Sequence, residues 1–338
     1  MMAPMRTLLL HGAGDVRLTT APDPVPGPDD ELVRITAVGL CGSDLHWYQD
    51  GAVGGLHMRG PFVPGHEMGG TVVAGPRAGL RVAIEPADPC ERCAFCVKGD
   101  TNLCENTRFA GTPGTDGALA ELMAWPRRLL VPVPDAIADD EIPLLESMGV
   151  ALHSVNLGKV GPRAHVAVVG AGPIGLLIVA VLRARGVERI VVTEPLAHRR
   201  AAALALGADE AIQPDPDGLA RAAFGERADV AFEAAGTDAG IASACGMVAP
   251  GTRVVLAGIP GGEAYVLPAG MARQKGLTFP VARRMQAAHL AQAANLAASG
   301  AVPLGSLVTG AFPLAEGVAA FEALVRRDGL KLVIHPNA

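Results

Sequence analysis

Six cysteines are spread unevenly along this 338-residue chain, and their spacing is the first sign of chemistry. Four of them, Cys90, Cys93, Cys96 and Cys104, form a C-x2-C-x2-C-x7-C run on one short stretch. Four thiolates so placed can close a tetrahedral zinc site. An iron–sulfur reading shares the C-x2-C-x2-C opening, but that run continues x3-C-P, whereas here seven residues intervene and Glu105 follows. Zinc is the better fit. Because all four positions come from protein, this metal is expected to be structural, contributing on the order of 10 kcal/mol to the order of its lobe. The reaction must be sought elsewhere. Cys41, His66 and Glu67 offer a soft, a borderline and a hard donor, the three-ligand composition of a catalytic zinc with one open position. Read singly, these three have bland alternatives, a buried thiol and a surface His–Glu pair. Their neighbours strengthen the metal reading. Ser43 and His46 follow Cys41 at two and five residues and are suited to carry a proton away from a substrate alcohol. Glu146 opens the apolar segment ESMGVALHSV, where a carboxylate is unfavourable unless paired or coordinating.

A second chemistry is marked by HVAVVGAGPIG, which sets Gly170, Gly172 and Gly175 in G-x-G-x-x-G directly after an apolar strand. Such a turn lets a pyrophosphate approach the backbone at a helix N-terminus, and Pro173 is tolerated in that first turn. The next strand, RIVVTE, ends in Glu194, placed to accept bonds from both ribose hydroxyls of an adenosine. The same carboxylate repels a 2′-phosphate, which favours NAD over NADP. Arg199 argues the other way, since a guanidinium can bind that phosphate or stack on adenine.

The elements that must hold these groups change texture near residue 148. Up to about Arg128 the chain is rich in Gly and Pro, with short apolar runs (ELVRITAVGL, TVVAG, RVAIEP) that predict strands and no convincing helical period. From His165 to about Gly258, apolar strands alternate with helical stretches such as Ile174–Ala184 and His198–Leu206, the pattern of a parallel sheet built from βαβ units. Helices are expected at 286–298 and 313–327, then a final strand, LKLVIH.

Composition removes several classes of function. Half the residues are hydrophobic and 18% are charged, so global disorder is excluded. The net charge of −6 argues against nonspecific nucleic-acid binding. No apolar run is long enough to span a membrane, and the start of the chain lacks the length of a signal peptide, so a cytoplasmic protein is expected. Only four lysines, Lys98, Lys159, Lys275 and Lys331, occur among 28 basic residues, and this bias carries no functional reading.

Taken together, CGSDLHWY, GHEMGG, the four-cysteine lobe, TPGTDGALAEL, ESMGVALHSV, VVGAGPIGLL and the Glu194–Arg199 pair resemble the zinc-dependent medium-chain dehydrogenase/reductase family, and within it the polyol branch of sorbitol and L-idonate 5-dehydrogenases. The resemblance covers nearly the whole chain. It implies a GroES-like β-barrel catalytic domain formed by 1–147 and 286–338, interrupted by a doubly wound Rossmann NAD-binding domain at 148–285. It implies two zincs per chain. Cys41, His66 and Glu67 hold the catalytic one, while Glu146 matches a position that is a ligand in alcohol dehydrogenases and a nearby carboxylate in polyol enzymes. For the coenzyme it adds Ile174, Gly258, Ile259, Ala282 and Arg283; for the substrate, Tyr48 and Arg283. The implied reaction is NAD-dependent oxidation of a secondary alcohol of a polyol or sugar acid to a ketone, in a homo-oligomer with a tetramer favoured. A simple alcohol or L-threonine dehydrogenase is the alternative, and a non-enzymatic nucleotide-binding relative a remote one. One departure concerns the substrate: Arg284 stands where polyol enzymes usually place an aromatic, so it either favours an acidic substrate or faces solvent.

Overall fold

The computed structural model describes residues 4–214 and 227–338. The chain divides into two compact units, one of Met1–Glu146, Gln286–Ser299 and Leu304–Ala338, the other of Ser147–Met285 with Gly300–Pro303.

The first unit is built on a seven-stranded sheet. Along its path the order is Leu130–Pro132, Arg81–Ile84, Glu67–Val72, Asp30–Gly39, Lys331–His335 and Val308–Pro313, with Leu122–Pro126 also pairing onto Asp30–Gly39. The last strand of the chain is therefore a neighbour of an early one. Its register matters: Glu67 and Val333 both pair with Gly39, from opposite sides. The glycines of GHEMGG are required by packing, since a Cβ at Gly69 would lie 2.2 Å from the Ile142 side chain and one at Gly70 2.3 Å from the Arg34 carbonyl. The core includes Leu8, Leu10, Ile35, Val38, Phe62 and Phe321.

A helix at Gly42–Asp50 is a correction to the strand-only expectation for this region. The sequence hid it because the helix buries only Asp44 and Trp47, too little for an apolar stripe to show. It is set instead by its ends. The Asp44 carboxylate accepts from the Cys41 backbone N–H at 3.0 Å, and Gly51 (φ 64°) closes it in the left-handed region.

The second unit carries a five-stranded parallel sheet in the order Glu210–Ile212, Arg189–Thr193, His165–Val169, Ala228–Glu233, Val248–Leu256. Strand order reverses at His165–Val169, so the crevice for a ligand lies at the carboxyl ends of that strand and Ala228–Glu233. Helix Pro173–Ala184 is buried from Gly175 through Leu182, which explains its unbroken apolar sequence. The expected helices and final strand near the end of the chain are present as Ala287–Ala298, Gly317–Arg326 and Lys331–His335. No helix among the described residues is long and apolar enough to cross a membrane. The fold is the expected one, a GroES-like unit with a Rossmann-type unit.

Candidate active site and metal centres

Cys41 caps the start of helix Gly42–Asp50, while His66 and Glu67 stand where the chain enters strand Glu67–Val72. Sequence places them 25 residues apart, yet one donor atom from each lies within 4.8 Å of the others. Asp44, fully buried, ties these segments together. Besides its bond to Cys41, its carboxylate accepts from the Gly65 N–H at 3.3 Å and approaches His66 Nδ1 at 3.8 Å. That fixes the imidazole with Nε2 turned toward Ser43, whose Oγ is 3.4 Å away. Burial raises the Asp44 carboxyl above the usual range, with His66 and the backbone donors opposing that shift.

Lys331 is the counter-charge, and the sequence reading gave it no role. Its side chain is 2% exposed, and its ammonium donates to Glu67 Oε2 at 2.5 Å and to the Leu40 carbonyl at 3.1 Å. The shared register on Gly39 explains the contact. A Cβ on Gly39 would come within 2.5 Å of Glu67 Oε2, so only glycine lets the carboxylate cross to the neighbouring strand. The available signal was a lysine inside the apolar strand LKLVIH. Burial works against the ammonium, but Glu67, Cys41 and Glu146 hold its pKa above the ordinary value.

Glu146 is buried near the start of helix Leu144–Gly158. Burial pushes its carboxyl up to about 8, with His66 opposing and Glu67 and Glu85 adding to the rise. The Cys41 thiol is likewise raised, by burial first and Glu67 next. Several acidic groups thus face one lysine and one imidazole, a donor set short of positive charge that a divalent cation would complete. The residues fit a metal.

His46 lies on the same helix as Ser43 and binds Asp50 through Nδ1 at 3.0 Å. Tyr48 leans on Phe321, ring centres 5.2 Å apart, and is half-buried. Trp47 is a core residue, 2% exposed and packed edge-on against Phe62.

In the cysteine lobe, one sulfur from each of Cys90, Cys93, Cys96 and Cys104 lies within 4.8 Å of the rest. Tetrahedral Zn–S bonds of about 2.3 Å would set sulfurs about 3.8 Å apart, so this spacing accepts zinc. Glu91, at φ 58°, makes the turn between the first two cysteines in a conformation unusual for a side-chain-bearing residue. Burial raises the Cys104 thiol, but the Cys90 N–H and the Thr107 hydroxyl outweigh it and bring it down to about 6, toward the thiolate that binds metal.

In the second unit the three loop glycines separate by role. Gly170 needs its φ of 93°, and a Cβ at Gly175 would lie 1.9 Å from the Gly170 carbonyl. Gly172 instead opens onto space, with Arg199 Nη1 the nearest atom at 3.8 Å from a Cβ there, which leaves room for an anion against a guanidinium. Glu194 is buried and braces the loop, accepting from the Ala171 N–H at 2.8 Å and the Leu196 N–H at 2.9 Å. Ile174 is half-buried at the same helix start. Gly258 packs against Gly236, Ile259 is exposed, and Ala282 donates to the Leu256 carbonyl at 2.8 Å. Arg283 is exposed, and Arg284 is half-buried with φ 55°. His153 is buried in helix Leu144–Gly158, and Cys245 is fully buried among apolar side chains, as expected of a small hydrophobe.

Residues 27–135 match the alcohol dehydrogenase GroES-like domain, and residues 173–299 match the zinc-binding dehydrogenase family. The chain is 35% identical to human sorbitol dehydrogenase over 350 residues, covering 97% of this chain and 95% of that protein. The chain belongs to the zinc-dependent medium-chain dehydrogenases, in their polyol branch. Two solved Escherichia coli structures agree. An oxidoreductase/dehydrogenase of unknown specificity superposes with a TM-score of 0.92 at 29% identity, covering 98% of this chain and 99% of the other. An alcohol dehydrogenase complexed with NADH gives 0.90 at 25% identity, over 99% and 100%.

Proposed function

We propose that this dehydrogenase oxidises a secondary alcohol of a polyol or sugar acid to a ketone with NAD. The catalytic zinc is held by Cys41, His66 and Glu67, with Glu146 beside them, and a structural zinc by Cys90, Cys93, Cys96 and Cys104. The catalytic domain is 1–147 with 286–338, and the coenzyme domain is 148–285. The observation that carries this reading is the convergence of Cys41, His66 and Glu67 within 4.8 Å. Similarity to sorbitol dehydrogenase supports the polyol, and the NADH complex of the structural relative supports the coenzyme.

The groups bound from outside the chain supply Lewis acidity to the substrate oxygen and a nicotinamide that accepts the hydride, so that alcohol and NAD become ketone, NADH and one proton. The chain's own residues do the rest. Asp44 orients His66, and Lys331 balances and positions Glu67. Ser43 takes the substrate's proton and His46 hands it to water. Gly172 and Arg199 receive the pyrophosphate, and Glu194 the adenosine ribose, with Gly170, Ile174, Gly175, Gly258, Ile259 and Ala282 completing the coenzyme site. Tyr48 and Arg283 serve the substrate.

The test is NADH formation by the zinc-loaded protein over sorbitol, xylitol, aldonic acids, ethanol and L-threonine. Turnover of polyols or aldonates is expected. Turnover of ethanol or threonine with none of the polyols or aldonates would replace this reading with the alcohol or threonine one, and no turnover at all would sink it.

A further inference from the structure

Asp50 occupies a place that helix stability does not explain. It is the last residue of helix Gly42–Asp50, where unsatisfied carbonyls disfavour a carboxylate. It also lies C-terminal to its partner at i,i+4, the weaker order for an acid–base pair on a helix. Yet its Oδ2 is 3.0 Å from His46 Nδ1, and it is the ion-pair partner of that imidazole among the described residues. The elements packed on this helix, Met5–Gly12, Ala52–Val53 and Gly317–Arg326, bring Arg6, His11, Glu322 and Arg326 as further titratable groups.

Ser43, His46 and Asp50 stand at i, i+3 and i+7 and so share one side of the helix. The row begins at the metal donors, where Ser43 Oγ is 3.4 Å from His66 Nε2. It ends in water, with exposure rising from 24% at the His46 side chain to 54% at Asp50.

We propose that Asp50 is the positioning residue of the proton exit: it holds the Nδ1–H of His46 and leaves Nε2 as the basic nitrogen that receives the substrate's proton. The inference rests on the Ser43–His46 relay of the proposed function. A neutral imidazole accepts through only one nitrogen, and the hydrogen bond made by the other decides which. Without a partner, histidine prefers the Nε2–H tautomer, which cannot accept at Nε2. Asp50 removes that obstacle, and the proton arriving at Nε2 makes an imidazolium already facing a carboxylate. The imidazolium then releases a proton to water.

The experiment uses zinc-loaded, NAD-bound enzyme with ¹⁵N-labelled histidine rings, together with single-turnover NADH formation on the best polyol from the substrate screen. The wild type should show His46 as Nδ1–H. Asp50→Ala should convert it to Nε2–H and slow the single turnover about two- to fivefold, the scale of an exposed pair, with KM and melting temperature unchanged. Asp50→Asn keeps an acceptor oxygen and should retain the Nδ1–H form and most of the rate. An Nε2–H wild type, or an unchanged tautomer and rate in Asp50→Ala, overturns the proposal. His46→Ala separates the two levels: if it slows the reaction while Asp50→Ala does not, only the role of Asp50 falls. If His46→Ala also leaves the rate unchanged, the relay itself is wrong.

Discussion

Replacing Lys331 by methionine should weaken the fold and, at the same time, tighten the binding of zinc. Lys331 and Glu67 are 2% and 0% exposed and bond at 2.5 Å. Methionine preserves most of the side-chain volume and removes the charge, leaving Glu67 buried without its ammonium. Breaking such a pair from one side costs about 3–5 kcal/mol. That cost applies to the metal-free protein. With zinc bound, the Glu67 carboxylate faces a divalent cation and the loss of the ammonium is felt less, about 1 kcal/mol. A metal-free loss of about 3 kcal/mol then closes a cycle in which the variant binds catalytic zinc about 2 kcal/mol, or roughly 30-fold, more tightly. The assay is thermal unfolding of wild type and variant at pH 8, each without metal and with saturating zinc. For a unit of this size, the expected drops are about 6–12 °C without metal and about 2–4 °C with it. Zinc in the cysteine lobe stabilises both proteins alike and cancels in the difference. Equal drops in the two states, or weaker zinc binding by chelator competition, would refute the reasoning.

Burial raises the Glu146 carboxyl from an ordinary 4.5 to about 8 in the metal-free chain, so between those values the folded state keeps a proton that the unfolded state has lost. Metal-free stability should therefore fall as pH rises from about 4.5 to about 8 and then level off, and Glu146→Gln should flatten the fall; urea midpoints at pH 5 and 8.5 check this, and an identical slope in the variant would count against it. Metal analysis should find two zincs per chain, and Cys96→Ser should lose one while Cys41→Ser loses the other. A single zinc in the wild type would contradict the two-site assignment. Glu194→Ala removes a bond to the glycine loop at Ala171 and one to Leu196 as well as the ribose acceptor, so NADH binding measured by fluorescence should weaken about tenfold or more, and discrimination against NADPH should narrow. Affinity for NADH equal to wild type would exclude Glu194 from the coenzyme site.

Much of the architecture was readable from the sequence because its signals are local. The alternation of strands and helices after His165 survives in the parallel sheet, since each apolar run is long enough to be buried whole. Helix Gly42–Asp50 was missed because its cap, the bond from Cys41 N–H to Asp44, leaves no periodic trace. Asp44 was passed over for the same reason, although the cap and its approach to His66 are one arrangement.

What the sequence alone determined is the set of groups whose geometry is fixed within a few residues. The four cysteines fall within one short loop, and the three glycines within one turn, so spacing translates almost directly into shape. The partner of Glu67 is different in kind. Lys331 is 264 residues away in sequence, and nothing local to either residue brings them together. Their meeting was decided by a strand register in which Glu67 and Val333 flank Gly39, and by the missing side chain of that glycine. A buried charge is tolerated only where an opposite charge or hydrogen-bond donors reach it, and for Glu67 the ammonium arrives only once the last strand has joined the sheet.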